Sequence, residues 1–154
     1  VIAVDGEAYL FTAKSGTGKS THTKLWRKYF GNRAVMVNDD KPLLKVTGKD
    51  VLACGTPWAG KDHLQNNIMV PLKAVCILER DTVNHIEQIR KRDAWKMILQ
   101  QSYRSDQPAV LSSTIRLAEQ IMDKTKLYRL GCNMSMRAVE TSYNGMNTDI
   151  DYAD

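Results

Sequence analysis

The side chains best equipped for chemistry in this 154-residue chain lie in AKSGTGKST, residues 13–21. Gly16 and Gly18 permit positive φ, so the backbone from Ser15 through Thr17 to Gly18 can turn successive N–H groups toward one anion. Lys19 then reaches the β- and γ-phosphates of a nucleotide, and the Ser20 hydroxyl is a ligand for Mg²⁺. Thr21 falls one residue further on, where its hydroxyl and N–H face a phosphate at a helix N-terminus. The spacing is that of a phosphate-binding loop, G-x-x-x-x-G-K-[ST], with Ala13 where the first glycine would stand. A methyl group costs little there unless the position demands a positive φ.

Two further groups fit the same chemistry. Asp39 and Asp40 close the apolar stretch RAVMVNDD, where adjacent carboxylates can divide the work of holding Mg²⁺ and accepting a proton from an attacking hydroxyl. The competing reading is a plain turn, since Asn38, Asp39 and Asp40 all bond readily to nearby backbone. In GTPWAGK, residues 55–61, Lys61 offers a second cation for the charge that develops on a transferring phosphoryl group. The bland alternative is a rigid turn with Trp58 anchored in the core and Lys61 solvated. His63 reads as a solvated loop histidine.

Positioning these groups requires a strand, a loop and a helix in succession. AYLFT (8–12) is an apolar strand, and Leu25, Trp26, Tyr29 and Phe30 form the apolar face of a helix over about 19–30. Residues 1–11 read as two short strands around Asp5-Gly6, a dipeptide favoured in tight hairpins. The loop is therefore expected to be fed by the second arm of an antiparallel hairpin rather than by a strand paired in parallel with its neighbours. Residues 33–40 read as a strand, and 42–46 and 51–55 as a hairpin around TGKD. A polar loop comes next (56–67), then a buried strand (72–80) and a half-exposed one (84–89). From Asp93 the period becomes helical, with Ala94, Trp95, Ile98 and Leu99 on one face and Leu117, Ala118, Ile121 and Met122 on the next. KLYRLGC (126–132) is expected to be an edge strand and 136–146 a last helix. Residues 1–146 thus read as a single α/β domain with a hairpin-containing sheet, a phosphate loop and flanking helices. Residues 147–154 form a polar acidic tail, whose Asp149, Asp151 and Asp154 read as a frayed terminus rather than a metal cluster.

The composition, 43% hydrophobic and 25% charged, is that of an ordinary globular protein. No apolar run approaches the ~20 residues of a membrane span, and nothing reads as a signal peptide. A net charge of +5 suits phosphate-bearing ligands, whereas the scattered lysines and arginines argue against a nucleic-acid partner. Cys54, Cys76 and Cys132 lie far apart without a C-x-x-C, which argues against a disulfide framework or a zinc site and for reduced core cysteines in a cytoplasmic protein. The first residue is Val1, as in a trimmed fragment with something upstream.

Taken together, the Asp5-Gly6 hairpin, SGTGKST, NDDKP and GTPWAGK resemble the HPr kinase/phosphorylase and phosphoenolpyruvate-carboxykinase-like superfamily. The likeness is closest to its small HPr serine kinase-related members. It covers residues 1–80 by motif and 81–146 only by the order of elements. It implies an ATP- or pyrophosphate-using, Mg²⁺-assisted phosphotransferase of mixed-sheet architecture. Ser15–Thr21 would bind nucleotide phosphates, Ser20, Asp39 and Asp40 would hold the metal, and the aspartates and Lys61 would serve catalysis. The acceptor is a hydroxyl on a protein, a peptide or a small molecule, and self-association is compatible with the resemblance. Two alternatives remain: a nucleotide-binding regulatory module that transfers nothing, and a small-molecule kinase of the shikimate-kinase type.

Overall fold

The computed structural model describes residues 1–148 and is a mixed α/β fold, an open eight-stranded sheet with helices on both faces. The chain opens with β1 (Ile2–Val4) and β2 (Glu7–Thr12), paired antiparallel through Asp5 and Gly6. Both turn residues have positive φ, +50° and +83°, as a two-residue type I′ turn requires. The loop from Ala13 to Gly18 leads into α1 (Lys19–Phe30), and a 3₁₀ turn at Gly31–Arg33 returns the chain to β3 (Ala34–Met36). The hairpin of β4 (Leu43–Val46) and β5 (Val51–Cys54) precedes the long β6 (Met69–Arg80) and β7 (His85–Gln88). Then come α2 (Lys91–Gln101), α3 (Pro108–Lys124), β8 (Lys126–Cys132) and α4 (Met136–Asn147).

The antiparallel hairpin expected to feed the loop is present, with a parallel neighbour added on its other side, and the expected place of β8 is corrected. β2 is antiparallel to β1 but parallel to β6 on its other side, with Phe11 opposite Cys76 and Thr12 opposite Ile77. The loop after β2 therefore leaves the carboxyl end of a strand with a parallel neighbour. β8, expected at an edge, is interior: it pairs parallel with β6 and antiparallel with β7. Its buried Leu127, Tyr128 and Leu130 suit that place, and the half-exposed alternation of β7 suits the edge.

Alternation along the central strands fills two cores. Tyr9, Phe11, Ala74, Cys76, Leu78, Tyr128 and Leu130 face α1 and α4, where they meet Trp26, Phe30, Val139 and Met146. Ala8, Val75, Ile77 and Leu127 face α2 and α3, meeting Ala94, Ala118 and Met122. Of the expected face of α1, Trp26 and Phe30 are buried, but Tyr29 is 45% exposed and His22 takes an inner position instead. Trp26 Nε1–H is shared between His22 Nε2 at 3.0 Å and Ser142 Oγ at 3.1 Å, which ties α1 to α4. The three cysteines are unpaired thiols, and burial pushes that of Cys76 far up. Asn147, grouped with the tail on sequence, closes α4, and its Oδ1 accepts a hydrogen bond from the Tyr9 hydroxyl. Asp149, Asp151 and Asp154 lie outside the described residues. Among those described, no helix is long and apolar enough to cross a membrane.

Candidate functional site

The loop Ala13–Gly18 is held open by its two glycines and by two cations. Gly16 has φ +78° and Gly18, at the N-cap of α1, has φ +118°. Ala13 is fully buried with no positive φ, so its methyl group packs into the core and the absent glycine costs the loop nothing. Lys19 Nζ donates back across the loop to the Ala13 carbonyl at 3.2 Å. Arg80, at the end of β6, donates from Nη2 to the Gly16 carbonyl at 2.6 Å and from Nε to the Thr17 carbonyl at 3.2 Å. Thr17 folds its own N–H and hydroxyl onto the Lys14 carbonyl. No side chain caps α1 and its first turn carries no acid. The first N–H groups of the helix therefore lack an intrahelical acceptor and face outward with the dipole's positive end.

The expected aspartates arrive by a route the sequence does not spell out. The strand is only three residues long; beyond Met36 the chain leaves it, with the Val37 and Asn38 N–H groups both directed at the Val1 carbonyl. Because β3 is antiparallel to β1, and β1 to β2, β3 runs in the direction of β2, and Asp39 emerges at the same end of the sheet as the loop. Asn38 is fully buried and organises the turn after it. Its Oδ1 accepts from the Asp40 N–H at 2.8 Å, and its Nδ2 donates to Thr56 Oγ1 and to the Trp58 carbonyl, both at 3.0 Å. The turn and the carboxylate pair are thus one feature: the turn presents the carboxylates. Gly60 N–H donates to Asp39 Oδ1 at 2.8 Å, and a Cβ at Gly60 would lie 2.9 Å from Asp39 Oδ2. Asp39 is half-buried and Asp40 exposed.

Lys19, Ser20, Asp39 and Asp40 line one cavity of about 640 Å³, which runs on between β4, the end of α2 and the side of α3. Thr17, Gly18 and Thr21 line a second cavity of about 320 Å³ on the other flank of α1, against Arg80, Cys132 and Met134. Ser15 and Gly16 form the exposed crest of the loop. Lys61 is exposed and lines neither cavity. Trp58, which the bland alternative anchors in the core, is 62% exposed, and its backbone carbonyl accepts from Asn38 Nδ2. His63 is exposed, as expected, with φ +49°.

Three contributors were not legible as such. Arg80 ends a strand, and only the parallel pairing of β6 with β2 carries it to the loop. Asn38 was visible as a turn former but not as the clamp on residues 56–58. His22 stands on the buried side of α1, its ring edge-on to Phe11 at 4.7 Å. Burial pushes its imidazole down to about 4, so it is neutral at pH 7 and accepts the Trp26 N–H. The spacing of His22 and Trp26, four residues apart on one helix, was the available signal. Compared with known proteins, the chain matches no family model, no curated sequence and no solved structure.

Proposed function

We propose that this protein is an ATP-dependent, Mg²⁺-assisted phosphotransferase acting on a hydroxyl acceptor, with Ala13–Thr21 as its phosphate-binding loop. The observation that carries the reading is the convergence of Lys19 and Ser20 with Asp39 and Asp40 on one cavity, at the uncapped start of α1. Phosphates laid across that helix end meet free N–H groups and the Lys19 ammonium, which exchanges its bond to the Ala13 carbonyl for phosphate oxygens. Ser20, Asp39 and Asp40 are hard oxygen donors of the kind Mg²⁺ takes. Among the described residues, no group of three or more His, Cys, Asp or Glu side chains stands ready to hold a metal. Mg²⁺ characteristically keeps several waters and shares the substrate's phosphates, so it asks few donors of the protein. When bound, Mg²⁺ would offset charge on the transferring phosphoryl group. Asp39, fixed by the Gly60 N–H, serves as the positioned carboxylate on the metal side. Asp40, exposed at the cavity wall, receives the proton of the attacking hydroxyl.

Calorimetric titration of the purified chain with Mg-ATP tests the site. Loss of the Lys19 charge-assisted contacts in Lys19→Ala should weaken binding by roughly tenfold to a hundredfold. Equal affinity in parent and variant would remove the loop from nucleotide binding. Binding without any consumption of ATP, whatever hydroxyl compound is offered, would favour the regulatory-module reading over the kinase.

A further inference from the structure

The larger cavity is chemically divided, and the division bears on the acceptor. All of its charged side chains, Lys19, Asp39, Asp40 and Lys41, cluster at the loop end. The far end is walled by Leu43, Leu44, Ile98, Leu117 and Ile121, interspersed with the uncharged polar side chains of Gln101, Ser102 and Thr114, with Tyr103 at the rim. Leu43, Leu117 and Tyr103 are also among the large apolar side chains left most exposed, at 54%, 49% and 77%. Three such side chains gathered around one opening form an apolar surface that folding does not use.

Resting on the kinase reading above, we infer that the acceptor is an uncharged alcohol with an apolar, aromatic-sized body, bound with its hydroxyl toward Asp40 and its body between α2 and α3. Three arguments support this. The cavity holds about 640 Å³, a size usual for small-molecule sites. No cation lines the far end, so an anionic body would lose its hydration there without compensation. A peptide carrying the acceptor serine would lay its backbone against Leu43, Ile98 and Leu117 and find few polar partners beside Gln101, because the Ser102 and Thr114 hydroxyls already donate to the Ile98 and Val110 carbonyls. A separate cavity of about 320 Å³ on the opposite flank of α1, beside Thr21, is available to the nucleoside.

The transfer balances. The acceptor oxygen bonds to the γ-phosphorus while the bond from that phosphorus to the β,γ-bridging oxygen breaks. The bridging electron pair leaves with ADP, and the acceptor's proton passes to the Asp40 carboxylate.

The test uses 3-phenylpropan-1-ol as probe, with L-serine and glycerol as polar comparisons. Binding to the purified chain is followed by NMR without nucleotide and with saturating Mg-ATP, and phosphate-ester formation by ³¹P NMR. We expect saturable binding of phenylpropanol with or without Mg-ATP, and its ester in preference to those of serine and glycerol. Leu117→Asp, at a half-exposed helix position, should weaken the probe about tenfold and leave the affinity for Mg-ATP unchanged. Tyr103→Ala, at the exposed rim, should weaken it a few-fold. The inference falls if phenylpropanol does not bind, if both variants bind it as the parent does, if Mg-ATP displaces it, or if serine or glycerol is the better acceptor. Failure of the kinase reading is separately visible: Mg-ATP then does not bind, and the acceptor role falls with it. Probe binding and its loss in Leu117→Asp would still report on the apolar cavity alone.

Discussion

Gly60→Ala isolates the contact that fixes Asp39. The backbone at Gly60 does not have a positive φ, so alanine is permitted there and only the new Cβ acts. That atom would stand 2.9 Å from Asp39 Oδ2 and 3.1 Å from Cγ, about half an ångström inside ordinary contact. Either the carboxylate recedes or residues 58–61 lift, and both lengthen the 2.8 Å bond from the Gly60 N–H to Oδ1. A hydrogen bond to a charged group contributes about 1.5–3 kcal/mol, and half-exposure of Asp39 places this one at or below the lower end. A loss of about 1 kcal/mol lowers the melting temperature by about 2–4 °C in a chain of this size. The effect on transfer should be larger, because a misplacement approaching an ångström costs up to about a hundredfold. Affinity for Mg-ATP should change by less than about threefold, since Lys19, Ser20 and the start of α1 are untouched. Thermal unfolding, calorimetry and single-turnover consumption of ATP read the three quantities. Gly48→Ala is the control, for a Cβ there meets nothing within 4 Å. Parental turnover in Gly60→Ala, with an unchanged melting temperature, would refute the claim that Gly60 positions Asp39 for the reaction.

Asp40→Asn should keep Mg-ATP affinity within a few-fold yet lower turnover by about a hundredfold, the usual worth of a positioned proton acceptor; undiminished single-turnover rates would take Asp40 out of the mechanism. Arg80→Ala frees the Gly16 and Thr17 carbonyls and should weaken Mg-ATP about three- to tenfold by calorimetry. The melting temperature should change little, because Arg80 is exposed. Arg80→Lys should not restore the affinity, as one ammonium does not reproduce the two-nitrogen grip; full rescue by lysine would contradict this account. For His22, the folded protein holds the imidazole neutral down to about pH 4, whereas the unfolded chain protonates near 6.5. Between those values the unfolded state binds more protons, so this contribution to stability is complete above about pH 6.5 and drains away toward pH 4. It amounts to about 3 kcal/mol across the window. Melting temperatures measured over that range should fall less steeply in His22→Gln than in the parent, and an equal slope would show that His22 is not the titrating group.

The local signals in the sequence were strong where one element suffices. Asp5-Gly6 specifies a two-residue turn because both residues tolerate positive φ, and SGTGKST specifies a turning loop because its two glycines permit the positive φ that the approach to α1 requires. Trp26 and Phe30 marked the buried side of α1 by their spacing. What the sequence could not carry was the relation between elements separated by tens of residues. Strand order is decided by which edges meet, and nothing in LKAVCILER states that β6 lies parallel to β2, so the arrival of Arg80 at the loop was invisible. The interior place of β8 was hidden for the same reason. Asp39 and Asp40 were picked out by residue type, yet their approach to Lys19 depends on two successive antiparallel pairings that bring β3 into the direction of β2. Trp58 shows the opposite failure. A large aromatic residue in a loop suggested burial, but Asn38 anchors that loop through its backbone carbonyl and leaves the ring in solvent. Leu117 belonged to a helical face by period, and only the position of α3 beside β4 turned it toward a cavity instead of a core. Periodicity and turn chemistry are written in neighbouring residues; the site is written in distances across the sheet, which exist only once the chain has folded.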